Sequence, residues 1–556
     1  MIDFKSRWDN KVGLFLIAPG KKGHDLDCFG MKGLHPLTDS VSFMTYAAQV
    51  GRLDEIDCLR ILENIIKCQF TDKDRHGQIK WFLEDRDKPD KNASFFICVG
   101  LIPLKKYYSK ELGDKCCKLI DEILSKTLHF FIKKCKNGGC YYPNSFLGDL
   151  VFAWLLNEMY ASKKNEDDLL EIIDNSIKYW LDEHWGWGEH MSDGYSKVCC
   201  YEISMLLLMS EKLPEATRKL YMKALSQLLK IEESYGGKPR VPTIRSYAFE
   251  NSPTTSLFRQ RIRDFQPDEI LQIENLPPIG QILNKLGWHK MAPPVTKQKK
   301  EIKVACYNGT EASALIEDDF RIGAMSRYPI MECTGYLPWQ VFPVAFMHDD
   351  GDWGFLQWLS EENGKTYANP SHTKNYGIHR GLSTTVRPPI GGNTFSIQEG
   401  GNLLVLRRMP TISMAWTKLV DRLRIVSPTA QFTEGYSDDR CSTLSFKWSA
   451  KRMLSVARVT LSDVPTHMSP RFDGKVLDWD IEYSEFPDMN DTVTLWAFSL
   501  DAEINEPPVI RKEKMKQRPV DPENSVFDLE WKTGKHHWNI KINPVSGSLE
   551  KNVIKT

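Results

Sequence analysis

The sequence predicts two domains of different class in series: a helical domain over residues 1–290, then an antiparallel β-sandwich domain over 303–556, joined by a linker at 291–302. Three observations carry this. Apolar side chains recur at helical spacing in the first half, and at a spacing of two in the second. Between them, Met291-Ala292-Pro293-Pro294-Val295-Thr296-Lys297-Gln298-Lys299-Lys300 reads as a linker. A chain of 556 residues also exceeds what one core usually organises.

In the first half, Leu59, Leu62 and Ile66 line one face of 53–68, and Leu147, Val151 and Trp154 form the next clear stripe. Leu169, Ile173, Ile177 and Trp180 follow, then Leu220, Ala224, Leu228 and Ile231. Gly-Gly, Pro and Asn clusters at 137–144 and 234–242 break these runs, and Pro214 suits a helix start. Many helices with short connections imply stacked helical hairpins, either closed into a toroid or left as an open solenoid. No fixed-length repeat motif is present. In the second half, Leu444, Phe446 and Trp448 alternate with polar residues, as do Phe527, Leu529 and Trp531, and Trp538, Ile540 and Ile542. Such half-buried strands indicate a β-sandwich. The basic run 511–518 reads as a solvated loop.

Seventy-three basic and 73 acidic side chains balance, which argues against a nucleic-acid partner, whose binding surface would lean basic. Sixteen Trp and 19 Tyr supply flat apolar surfaces, for core packing and for stacking on sugar rings. The 13 cysteines show no repeated Cys-x-x-Cys spacing; Cys116–Cys117 and Cys199–Cys200 fall in helices, and Cys135 and Cys140 flank a Gly-Gly turn. Reduced, buried thiols are expected. Leu14–Ala18 is too short for a leader's apolar core, and no stretch approaches 18 apolar residues. The expectation is no membrane contact and a cytoplasmic location, or a periplasmic or secreted one if a leader has been removed.

The densest polar-aromatic segment runs His184-Trp185-Gly186-Trp187-Gly188-Glu189-His190-Met191-Ser192-Asp193-Gly194-Tyr195 into the apolar helix Val198–Met209. It places acid, imidazole and phenol at a helix start. The alternative is a helix cap by Ser192 or Asp193, with the aromatics packed. Upstream, Cys140-Tyr141-Tyr142-Pro143-Asn144-Ser145-Phe146 enters a helix at Leu147, where Asn144 or Ser145 could equally cap. Arg240 and Arg245 stand in a Gly-Pro-rich loop, suited to carboxylates or to tying the loop down. His372-Thr373-Lys374-Asn375-Tyr376-Gly377-Ile378-His379-Arg380 gathers imidazole, phenol and cation. Asp349-Asp350-Gly351-Asp352-Trp353 reads as a hairpin tip, lacking the remaining spacing and distal Glu of a calcium loop, and no cofactor motif is found.

Taken together, Asn144 and the Glu189-x-x-Ser192-x-x-Tyr195 stretch some fifty residues later resemble polysaccharide lyases of the heparinase II/III and alginate-lyase kind, built from an (α/α) toroid and a β-sandwich. That resemblance implies a closed toroid and β-elimination from a uronate. It implies Asn144 on the substrate carboxylate, Tyr195 moving the proton, and His190 and His379 as alternate bases. Trp185, Trp187, Glu189, Arg240, Arg245 and Tyr376 would bind an acidic polysaccharide in a cleft between the domains. Members sometimes carry zinc in the β domain, but no clear His/Asp set marks one here.

The chemistry explains the residue types. The proton at C5 of a uronate becomes acidic once the neighbouring carboxylate is neutralised by a donor such as Asn, protonated His or Arg. Tyr or His then takes that proton, and Tyr protonates the departing glycosidic oxygen. A basic Tyr needs cations such as Arg240 or Arg245 near it, because free Tyr titrates at about 10. Three other classes use the same residues: a uronate C5-epimerase, a glycoside hydrolase pairing Glu189 with Asp149 or Asp193, and a non-catalytic carbohydrate-binding protein using Trp185 and Trp187.

Overall fold

The computed structural model describes residues 7–16, 33–85, 91–140, 142–160, 165–185, 189–235, 240–242, 301–306, 309–326, 343–349, 353–362, 365–366, 393–409, 418–426, 431–438, 440–461, 467–472, 476–483, 492–504, 506–514, 526–533, 536–543 and 548–555. A two-residue-strand hairpin, β1 (Trp8–Asp9) and β2 (Leu14–Phe15), precedes eight α-helices among these residues. They are α1 (Leu37–Gln49), α2 (Cys58–Lys67), α3 (Ala93–Tyr107), α4 (Ser109–Asn137), α5 (Pro143–Tyr160), α6 (Glu166–Asp182), α7 (Asp193–Met209) and α8 (Glu215–Ser234).

The helices form two layers. The odd-numbered ones pack in succession, α1 on α3, α3 on α5, α5 on α7, and the even-numbered ones do the same outside them. Each consecutive pair is a hairpin joining the layers, which is the (α/α)-toroid arrangement. Position decides the burial pattern. Inner α5 buries every residue from Phe146 to Asn157, because neighbours cover it on all sides. Outer α6 buries a stripe of Leu169, Ile173, Ser176, Ile177 and Trp180. The sequence stripe on α5 was therefore too narrow. On α2 the buried face centres on Ile61, Leu62 and Ile65, with Leu59 and Ile66 at its margin.

Strands follow from Glu301; residues 291–300 of the expected linker lie outside the described residues. A nine-stranded antiparallel sheet starts with β3 (Glu301–Ala305), β4 (Glu311–Ile316), β5 (Phe320–Met325), β6 (Val344–Met347) and β7 (Trp353–Glu362, bordered by β8, Lys365–Thr366). It continues through β11 (Leu419–Val426), β16 (Val476–Tyr483) and β15 (His467–Phe472). A six-stranded sheet holds β9 (Asn393–Glu399), β10 (Asn402–Met409), β12 (Gln431–Ser437), β13 (Cys441–Ser449), β14 (Arg452–Thr460) and β17 (Thr492–Leu500). The last four strands, β18 (Val509–Lys514), β19 (Val526–Thr533), β20 (His536–Asn543) and β21 (Ser548–Lys555), form a third sheet.

The first two sheets make the expected sandwich, around Phe320, Phe346, Leu423, Trp479, Phe446, Trp448 and Trp496. The third covers the outer face of the six-stranded sheet. Along β17, Trp496 and Phe498 point into the sandwich core, while Leu495 and Ala497 meet Phe527, Trp531 and Trp538 of the third sheet. Burial on both faces explains why β17 is almost continuously apolar. The basic run expected as a loop begins inside β18, paired with β19 as far as Lys514; residues 515–518 lie outside the described residues. Every described cysteine is unbridged, and all but Cys140 are buried. No described helix is long and apolar enough to cross a membrane.

Candidate active site

Two contacts fix how α5 lies against α7. A side chain on Gly148 would meet Glu202 Oε1 at 2.7 Å and the Phe95 ring at 2.7 Å. Further along, the Trp154 indole donates to Ser210 Oγ at 2.9 Å. Both partners advance together along the chain, so the helices run parallel and present their N-termini at the same end. Asn144 is one turn before Gly148 and Tyr195 two turns before Glu202, so each projects from the shared face. At 1.5 Å rise per residue, Asn144 lies about 6 Å and Tyr195 about 10 Å before that crossing. Amide and phenol thus stand within roughly one helical turn of each other along the bundle. Both are half-buried.

The capping alternatives fare differently. Helix α5 begins at Pro143, with the Phe146 amide donating to Tyr142 O at 3.0 Å. Asn144 is therefore inside the first turn, and Tyr142 holds the cap position. Ser192 is the cap residue of α7 but makes no side-chain cap bond; its carbonyl accepts from the Ser196 amide at 2.8 Å.

Gly148 leaves no room for a side chain against α7, and the carboxylate it faces belongs to a fully buried Glu202. Gly148→Ala should destabilise the fold by about 1–3 kcal/mol through overpacking, read from urea melts. A melt unchanged from wild type would mean that Glu202 moves aside freely. Glu202 escaped the sequence reading, although an acid within the apolar run Val198–Met209 was the available signal.

His190 sits in a short 3-10 turn, Glu189–Met191, just before α7, and is 2% exposed. Its Nε2–H donates to the carbonyl of Ala305 on β3 at 3.0 Å, with Cys306 Sγ at 3.7 Å. The Nδ1 atom is buried and has no hydrogen-bond partner among the described residues. Burial, with Arg240 and His184 nearby, lowers its pKa to about 3, against the opposing pull of the Ala305 bond. Burial likewise pushes the Cys306 thiol up to about 12, so the pair is thiol and neutral imidazole. Arg240, also fully buried, donates from Nη1 to His190 O at 2.5 Å. Of its two sequence readings, tying down a loop is the one its position satisfies.

Trp185 is 3% exposed and lies parallel to Trp180, ring centroids 6.0 Å apart at 2°. It belongs to the helical core, which corrects its assignment as a sugar platform. The cause is local. Helix α6 ends with His184 and Trp185 at φ 52° and 65°, and the Trp185 amide donates back to Trp180 O at 2.9 Å. This helix-ending motif folds the second residue past the cap onto the last turn.

Asp149 points away from the α5–α7 face, to Lys134 of α4 at 2.6 Å, with its side chain 5% exposed. Burial raises its pKa to about 6 against the pull of that lysine. A carboxylate so held clips α4 to α5. Trp187, Arg245, Tyr376 and His379 lie outside the described residues, as do the side chains of Glu189 and Asp193. Met347 pairs with Trp353, so β6 and β7 are antiparallel neighbours, and residues 350–352 of the Asp-rich stretch between them lie outside the described residues. Among the described residues no group of three His, Cys, Asp or Glu could hold a metal ion.

No family model and no curated protein matches the sequence. Among solved structures, the chain is similar to a heparinase III at 10% identity and TM-score 0.45, over 94% of this chain and 83% of that one. It is also similar to the heparan sulfate lyase HepC from Pedobacter heparinus at 8% identity and TM-score 0.31, over 92% and 96%.

Proposed function

We propose that the chain is a polysaccharide lyase that cleaves an acidic, uronate-containing polymer by β-elimination. The observation that supports this most is the amide of Asn144 and the phenol of Tyr195 at the same end of two parallel inner helices. Asn144 hydrogen-bonds the uronate carboxylate and stabilises the enediolate as C5 loses its proton. The electron pair forms the C4–C5 double bond while the C4–O bond breaks. Tyr195 delivers a proton to the departing oxygen, and Tyr195 or a histidine takes the C5 proton. The N-terminal ends of α5 and α7 favour the negative charge that collects there. Trp187, Glu189, Arg245 and Tyr376 are assigned to substrate contact, and His379 to the alternate base, on the sequence pattern alone.

A panel of uronate polymers, assayed for the ultraviolet absorbance of an unsaturated product, tests the reaction. Absorbance gain is the expected result. New reducing ends without it would replace the lyase by a hydrolase, and changed sugar configuration with an intact chain by a C5-epimerase.

Asn144→Ala should lower turnover by about 10²–10³-fold, the usual loss for one such donor. Because Asn144 is past the cap position, the melt should stay close to wild type. A loss of ~1 kcal/mol of stability with turnover intact would return it to a structural role.

A further inference from the structure

The turn that carries His190 is held from the β domain and from the segment that follows α8. Met191, fully buried, packs with Tyr235 against Ile302, Cys306, Ala312, Ala314, Ile316 and Met325, all from the β domain. His190 reaches Ala305 O, and Arg240 bonds the carbonyl of His190. The segment after Arg240 continues the junction: Val241 packs on Ala345 and Phe355 of the nine-stranded sheet. Tyr235 Oη donates to Val241 O at 2.9 Å, which ties the residue after α8 to the same junction. One residue past Met191, Ser192 opens α7, and Tyr195 stands in the first turn.

From this geometry we infer that Glu189–Met191 is a latch between the domains and that His190 is a positioning residue, which transmits the docking of the nine-stranded sheet to Tyr195. The inference rests on the proposed role of Tyr195, but the latch itself can be measured without any substrate. Its chemistry suits the task. A neutral imidazole gives one directed donor in an apolar junction, where an unmade bond leaves a buried carbonyl unsatisfied. No ammonium or carboxylate is desolvated to make that bond. The lever is short and stiff, since the turn passes into a helix within one residue of the anchored Met191.

The test compares His190→Leu, which keeps bulk and removes the donor, with His190→Gln, whose amide nitrogen lies near the position of Nε2. Hydrogen exchange in the full-length chain should quicken at residues 193–199 and at Ala305–Cys306 in the Leu variant, with 200–209 unchanged. On whichever uronate polymer the wild-type chain cleaves in the panel, kcat should fall about 10²-fold, the scale for a displacement of about 1 Å, with KM nearly constant. The Gln variant should restore both readouts. Arg240→Gln, which loosens the same turn from its other side, should reproduce the Leu pattern and serves if the Leu variant does not fold. Unchanged exchange at 193–199 in the folded variants would overturn the latch, as would an exchange increase spread evenly over the helical layer, or no rescue by Gln. A wild-type chain inactive on every polymer would instead defeat the lyase reading, with exchange still deciding the latch.

Discussion

Tyr195→Phe should lose about 10²–10⁴-fold in turnover, the usual contribution of a positioned proton-transfer group, while its thermal melt stays within a degree or two of wild type. The ring is half-buried in the first turn of α7, so phenylalanine retains its packing and only the hydroxyl goes. The expected kinetic pattern is a fall in kcat with KM little changed, because a proton in flight is a feature of the transition state. Substrate carboxylates would still be held by Asn144. A Tyr195→Phe protein that turns over at near-normal rate would take the phenol out of the chemistry. The proton would then have to pass to His379, since His190 is committed to Ala305 and held neutral by its burial.

Much of this was legible in the sequence. The change of period between the two halves of the chain separated helices from strands, and Leu444, Phe446 and Trp448 do face the sandwich core. The starts of α5 and α7 were legible because Pro143 and a Gly-rich turn mark them, local signals that sequence carries well, and these put Asn144 and Tyr195 in first turns. What escaped was set by distant contacts. The stripe on α5 gave no sign of burial all round, since that depends on α3 and α7 flanking it. Trp185 looked like an exposed platform because neither of the two residues at positive φ is the glycine that usually marks a helix end. His190 looked like a base because its partner lies 115 positions away, on a strand that the sequence could not set beside it. The third sheet has the same alternation as the other two, so periodicity could count its strands without assigning them a layer.

The buried imidazole also sets an expected acid response. In the unfolded chain His190 takes up a proton near 6.5, whereas in the folded chain it does so only near 3. A lowered histidine therefore leaves stability intact above about 6.5 and removes it as pH falls towards 3. The slope approaches about 1.4 kcal/mol per pH unit, for a total on the order of 5 kcal/mol. The groups facing it do not relieve the penalty: Arg240 adds positive charge, and Cys306 stays a neutral thiol. The whole-protein profile mixes this with opposite contributions. Asp149, raised to about 6 by burial, favours the fold as acid protonates it. So does His35, raised chiefly by its hydrogen bond to Glu84. The His190→Gln comparison isolates the single group, because glutamine keeps a donor and cannot titrate. The stability advantage of wild type over His190→Gln, from urea melts between pH 7 and 4, should shrink and then reverse as pH falls. A difference independent of pH would mean that the imidazole is reached by water and protonates in place, and the junction between the domains would then have to be looser than its contacts imply.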